Sequence, residues 1–193
     1  MELEPTTPFR ESYHSILGQI VVAMGQIELQ ISLLLIHMLG QNQGLAVNLT
    51  FGAHLDRIID IMKAVFYSKH QDDETAPLFE YLVGEINRLN HERNKNFHCA
   101  WTFDSARERA NRFRISKHTK GVHHANDWKE VPFHELQNLN GELNVLNDEI
   151  RAFNTKYYSN PKAKITPDQR RATDDLISEM QRKAKSRAKP GKK

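Results

Sequence analysis

The chain has 193 residues, 39% of them hydrophobic and 26% charged, with a mean hydropathy of −0.64. That is long enough for one domain with a real core plus an appendage, and too charged for every segment to join the core. The single cysteine, Cys99, excludes an internal disulfide and a multi-cysteine zinc site, and points to a reducing, cytoplasmic setting.

The net charge of +3 conceals an asymmetry. Residues 161–193 hold eleven Lys/Arg and four Asp/Glu, so the totals of 27 and 24 leave sixteen basic against twenty acidic residues before them. The body is mildly acidic and the basicity sits at the end. We therefore expect a helical domain over 1–160 and a basic, partly helical or disordered tail over 161–193.

The opening "MELEPTTPFRESYH" is acidic and lacks an apolar run, so no secretory signal is expected. The first helix is expected from about Ser12 to Leu39. Its stripe is Ile16, Ile20, Met24, Ile27, Ile31, Leu34 and Met38, at steps of three and four. The segment is long enough to suggest a membrane span, but Gln19, Gln26, Glu28, Gln30, Ser32 and His37 interrupt it, so it reads as a core helix with no membrane contact. A neighbouring row (Leu17, Val21, Gly25, Glu28, Ser32, Leu35, Leu39) is small or polar in the middle. Either another helix approaches closely there or Glu28 faces a polar cleft.

Gly40 and "QNQG" break this helix, and "LAVNL" is expected as a short turn of helix. A second long helix is expected over about Ala53–Tyr67, with Leu55, Ile58, Ile59, Met62, Val65 and Phe66 inward. A third starts near Pro77, since proline suits a first helical turn. Its stripe is Leu78, Leu82, Ile86 and Leu89. One further step of four reaches Arg93, then Phe97, so a charged residue occupies a core position.

After Trp101 the helical period fades. "NRFRISKHTKGVHHANDWKEVPF" reads as an irregular β-hairpin or a long loop. Helix returns over about His134–Tyr157, with Leu136, Leu139, Leu143, Leu146, Ile150 and Phe153 as its stripe. "SNPKAKITP" is a linker. Thr166, Pro167 and Gln169 have the spacing of an N-cap, a first-turn proline and a capping-box partner, so a short helix to about Lys185 is expected, with the final "RAKPGKK" disordered. The fold class is all-α: an up-and-down bundle with a small hairpin insertion before the last core helix.

The polar end of the third helix, "HERNKNFHCAW", is where chemistry is expected. Cleaving RNA without a metal requires a proton acceptor for the 2′-hydroxyl, charge stabilisation for the phosphorane and a proton for the leaving oxygen. A histidine titrates near neutral pH and suits the proton transfers. An arginine carries a permanent charge on a fork that matches phosphate oxygens. Asn94 and His98, four apart, share a helix face. Arg93 and His98, five apart, lie roughly 140° around the helix. They converge only if arginine's length bridges the gap, if the helix loosens near Phe97, or if a second subunit completes the site.

The motif "RNKNFH" resembles that of the HEPN (higher eukaryotes and prokaryotes nucleotide-binding) superfamily. Arg93 matches its arginine, Asn94 the polar neighbour and His98 the histidine. The helix order also looks similar over roughly residues 10–157. The resemblance implies a homodimer with its cleft at the twofold axis and a metal-independent endoribonuclease, a toxin or antiviral-defence effector that cleaves RNA and needs no cofactor. An antitoxin or another defence-system protein would be its partner. The alternatives are a non-catalytic nucleotide- or RNA-binding module and a partner-docking subunit.

Glu28 and His91 are candidate supporting residues. Glu92 is expected to pair with a lysine or with Arg93. His118, His123 and His124 lack the carboxylate or cysteine spacing of a metal site. Cys99 is expected to be a small core residue, and Trp101 and Trp128 packing anchors rather than base-stacking platforms. In the tail, Lys162, Lys164, Arg170, Arg171, Arg182, Lys183 and Lys185 are candidates for contact with an RNA backbone.

Overall fold

Helical periodicity dominates the sequence, and the computed structural model of the chain carries it into six α-helices and one small sheet. The structure describes residues 7–40, 43–50, 52–69, 75–117, 123–158 and 165–188, with side chains 43, 114–127 and 188 left aside. The elements are α1 (Pro8–Met38), α2 (Gln43–Thr50), α3 (Leu55–Lys69), α4 (Ala76–Phe97), β1 (Ala100–Asp104), β2 (Arg109–Lys117), β3 (His123–Glu130), α5 (Phe133–Tyr157) and α6 (Pro167–Ala188). The mostly all-α class expected from the sequence is what folds. Every member of the expected α1 stripe is buried, as is the whole α5 stripe from Leu136 to Phe153. Gly40, at φ +69°, ends α1 by taking the left-handed conformation that only glycine adopts cheaply.

Two details depart from expectation. The aromatic and β-branched run after the motif, Trp101-Thr102-Phe103, forms a strand of its own, so the insertion is a three-stranded antiparallel sheet in the order β1-β2-β3. The notch at Gly25 is not a close helix approach, because a Cβ built there would meet nothing within 4 Å.

The chain forms two compact units, Met1–Met24 with Arg88–Leu143, and Gly25–Asn87 with Asn144–Lys193. The first holds the sheet, the start of α1, the end of α4 and the start of α5. Tyr13 organises it: the ring meets Phe9, Trp101, Phe103 and Phe133 at centroid distances of 5.0–6.3 Å, and the hydroxyl donates to the Val131 carbonyl at 2.9 Å. Burial is the main reason its phenol pKa is raised.

The second unit holds the rest of α1, α4 and α5 with α2, α3 and α6. Phe66 and Phe79, both fully buried, stack at 3.9 Å. His37 Nδ1 hydrogen-bonds Asn154 Oδ1 at 2.8 Å, satisfying two polar groups against the apolar interior. By length and composition α1 could cross a membrane, yet Ile20, Ile27, Ile31 and Leu35 are wholly buried within the protein.

The expected capping box is present at α6. The Thr166 amide donates to Gln169 Oε1 at 3.0 Å, and the Gln169 amide donates to Thr166 Oγ1 at 3.2 Å. Ile177, Met180 and Ala184 are buried, one face of a docked helix. Two of its basic residues neutralise carboxylates. Lys183 Nζ lies 2.9 Å from Glu149, itself 2% exposed, and Arg187 Nη1 lies 2.8 Å from Glu85 while packing over the Tyr81 ring at 5.0 Å.

Candidate active site at the end of α4

The α4 stripe of Leu78, Leu82, Ile86 and Leu89 is buried, and then the pattern changes. Arg93 and Phe97, the next steps of four, are half-buried. The core position passes to Asn96, two turns beyond Leu89 and only 6% exposed. Asn96 uses most of its polar capacity. Its Nδ2 donates to the Glu92 carbonyl at 3.0 Å, and its Oδ1 accepts from Arg112 Nη1 on β2 at 2.9 Å. Its backbone carbonyl accepts from Trp101 Nε1 and from the Cys99 thiol, each at 2.9 Å. These bonds replace the helical partners that run out where α4 gives way to β1. They fix the segment that carries the motif.

On that segment Arg93 and Asn94 are half-buried and His98 is exposed. The His98 amide donates to the Asn94 carbonyl at 3.1 Å, so the helical hydrogen-bond pattern persists through His98 instead of loosening. Arg93 Nη1 donates to Asn94 Oδ1 at 2.6 Å, which ties the guanidinium to the residue one helical turn before His98.

Glu92 pairs with Lys95 at 2.7 Å, the lysine partner that the sequence offered. The hydrogen bond to Lys95 is the main reason its carboxyl titrates below the ordinary value, with burial opposing and the nearby charges of His91 and Arg112 assisting. Arg112 is 9% exposed, and its Nε has no hydrogen-bond partner. The sequence reading missed both Asn96 and Arg112. The signal for Asn96 was present in its position two turns after Leu89. Arg112 had no local signal, because the strand register brings it there.

His91 is exposed on α4 in the same unit as the motif. Glu28 is half-buried and belongs to the other unit. Cys99 is half-buried and hydrogen-bonded, so it is not the simple core residue expected. Trp101 is a packing anchor, with its ring at 6.2 Å from Phe103 and its N–H bound to Asn96. Trp128 is not: it is 61% exposed, and the sequence expectation for it is corrected.

In α6, Arg170, Arg171, Arg182 and Lys185 are exposed, whereas Lys183 is engaged with Glu149 and Glu179. Lys162 and Lys164 lie outside the described residues, as do His118 and the side chains of His123 and His124. Of the final "RAKPGKK", Arg187 and Ala188 are helical and the rest lies outside them too. Among the described residues no group of three or more His, Cys, Asp or Glu side chains is placed to hold a metal. A groove of about 510 Å³ between α5 and α6, lined by Asp148, Arg151, Thr155, Gln169 and Thr173, belongs to the unit without Arg93 and His98.

Set against known proteins, the chain matches no family model, no curated protein and no solved structure.

Proposed function

We propose that this chain is a HEPN-like endoribonuclease that cleaves RNA without a metal and acts as a homodimer. One observation supports the reading: the Arg93–Asn94 hydrogen bond of 2.6 Å, which joins a permanent cation to the residue one helical turn before the exposed His98. In the reaction, the ribose 2′-oxygen forms a bond to the adjacent phosphorus, and the bond from phosphorus to the 5′-oxygen breaks. The proton of the 2′-hydroxyl passes to an imidazole, and a proton is delivered to the departing 5′-oxygen. Arg93 stabilises the charge of the phosphorane, His98 handles a proton, and Asn94 holds Arg93 in place. The product carries a 2′,3′-cyclic phosphate.

Each chain supplies one motif histidine, while the reaction moves two protons. A twofold pairing that apposes two α4 ends provides two imidazoles and two guanidinium groups, which supports the dimer. The biological setting in this proposal is a toxin or an antiviral-defence effector restrained by a partner protein.

The test uses purified protein, RNA and excess EDTA. Wild type is expected to cleave, and Arg93→Ala and His98→Ala to lose at least about 100-fold of the rate, the usual contribution of one acid–base or charge-stabilising group. RNA binding without cleavage by wild type would replace this reading with a binding module. Growth arrest on expression, relieved by His98→Ala, is the expected result for a toxin.

A further inference from the structure

Helix α1 is apolar on two opposite sides. Its buried stripe runs through Ile20, Met24, Ile27 and Ile31. The same steps of four, three and four recur two residues earlier, at Gly18, Val22, Gly25 and Leu29. Two residues are about 200° of helix, so the second stripe lies almost opposite the first. All four of its residues are exposed, Val22 to 62% and Leu29 to 57%, with Val21 beside them at 52%.

The outer side of a surface helix ordinarily carries charge. From Gly18 to Leu29 every exposed residue is glycine, valine, leucine or glutamine, and the charged Glu28 is half-buried. A helix that is apolar all round is one that is covered all round.

The shape of the outer stripe fits a second copy of this chain. In order, Gly18, Val22, Gly25 and Leu29 alternate hollow and projection. A Cβ built at Gly18 or Gly25 would meet nothing within 4 Å, so neither hollow is filled from within the chain. A twofold axis crossing α1 between residues 23 and 24 sets Val22 opposite Gly25 of the partner subunit. The same axis sets Leu29 opposite Gly18 of the partner subunit. Every projection then meets a hollow, as a self-complementary twofold contact requires. A parallel pairing would instead set hollow against hollow.

That axis falls at the middle of Pro8–Met38, so nearly all of its 31 residues lie side by side, about 46 Å of helix. A strip one helix wide, about 11 Å, covers roughly 500 Å² per subunit. The total of about 1,000 Å² reaches the size of a specific interface with good complementarity. An uncharged face also meets its own copy without opposing like charges. A bilayer surface fits less well. Helices that lie in one carry Lys or Arg on their polar flank, and α1 has neither after Arg10.

We infer that the outer face of α1 is a self-association surface on which two copies pack antiparallel, Val22 and Leu29 filling the hollows at Gly25 and Gly18. The inference does not rest on the ribonuclease reading, whose pairing is at the end of α4. Arg93 and His98 take no part in it.

The test is sedimentation equilibrium of the full chain over a concentration series. Wild type is expected to associate. Val22→Glu should weaken association on the order of 100-fold, because each pairing would bury two unpaired carboxylates. Gly25→Leu fills a hollow and should weaken it as well, by overlap with the partner subunit. Both positions are exposed, so thermal unfolding of the monomer should not fall in either variant. Register is read by cross-linking. A mixture of Val22→Cys and Gly25→Cys chains should form an interchain disulfide under mild oxidation, and neither chain alone should. Wild type, with Cys99 alone, is the control.

A wild type that stays monomeric overturns the surface, as do variants that associate as wild type does. Cross-linking of Val22→Cys chains by themselves overturns the antiparallel register. Capture of wild type by anionic vesicles, abolished in Val22→Glu, overturns the second copy in favour of a membrane. A wild type that associates through this face but cleaves no RNA keeps the surface and removes the ribonuclease reading.

Discussion

Arg112 on β2 donates from Nη1 to Oδ1 of Asn96 on α4 at 2.9 Å, and the two residues are only 9% and 6% exposed. A buried guanidinium that relies on a neutral amide depends heavily on that acceptor. Asn96→Ala is expected to cost about 2–3 kcal/mol in urea denaturation, the range for a buried hydrogen bond to a charged group. Combined with Arg112→Met, the costs should fall short of the sum by about 1–2 kcal/mol. Additive costs would mean that the bond does not join the two elements energetically.

Asn94 sets where the Arg93 charge sits. Asn94→Ala removes this acceptor without removing the cation, and about a tenfold loss of cleavage is expected from the loss of that positioning bond. Asn94→Asp supplies a carboxylate at the same place, neutralising Arg93, so a larger loss should follow. Arg93→Lys keeps the charge but loses the planar fork and should also be impaired. Single-turnover cleavage of a labelled RNA measures all three. An Asn94→Asp variant faster than Asn94→Ala would contradict the assigned role of Arg93.

The docking of α6 should resist pH until strongly alkaline conditions. Tyr81, whose hydroxyl lies 3.1 Å from Glu149, is pushed up to about 12, chiefly by burial and then by the carboxylate charge. Burial works against the Lys183 ammonium, but its hydrogen bonds to Glu149 and Glu179 outweigh that and raise its pKa. Both folded-state values are raised, so the stabilisation is complete below the unfolded values of 10.0 and 10.5 and is lost as pH rises through the folded ones. Amide exchange of α6, corrected for intrinsic rate, should show constant protection from pH 7 to about 10 and decline above. Lys183→Ala should cost about 1–2 kcal/mol at neutral pH, less than a fully buried pair because Lys183 is 37% exposed.

The α6 capping box offers a narrower test. Thr166→Ala removes the acceptor for the Gln169 amide, bonded at 3.2 Å, and is expected to cost about 0.5–2 kcal/mol. Gln169→Ala removes the reciprocal bond of 3.0 Å and should cost less, since it leaves the Thr166 cap in place. Faster amide exchange confined to the first turn of α6 would report either loss.

Glu92 provides a local pH probe. Its carboxyl is held below the ordinary 4.5 by the Lys95 hydrogen bond in particular. A depressed folded value means that the stabilisation is present above 4.5 and is lost as pH falls through that folded value. Carbon-detected NMR titration should place Glu92 below 4.5, and Lys95→Ala should move it upward.

The sequence alone determined the long helices, the buried stripes of α1, α4 and α5, the α6 capping box and the placement of Arg93, Asn94 and His98 at the end of one helix. All of these follow from spacings of three to five residues along one chain segment, where helix geometry turns sequence distance directly into spatial distance. Val65 of the expected α3 stripe, by contrast, is only half-buried, and Gln43–Thr50 forms a helix of its own. Only the tertiary structure decided that Arg112 meets Asn96, that Lys183 covers Glu149, and that Trp128 stacks on Phe113 in the open. Those pairs lie 15 to 34 residues apart. A shift of one residue in the pairing of β3 with β2 would turn Trp128 to the face that Arg112 occupies, and a strand's sequence carries no mark of the register its neighbours will choose.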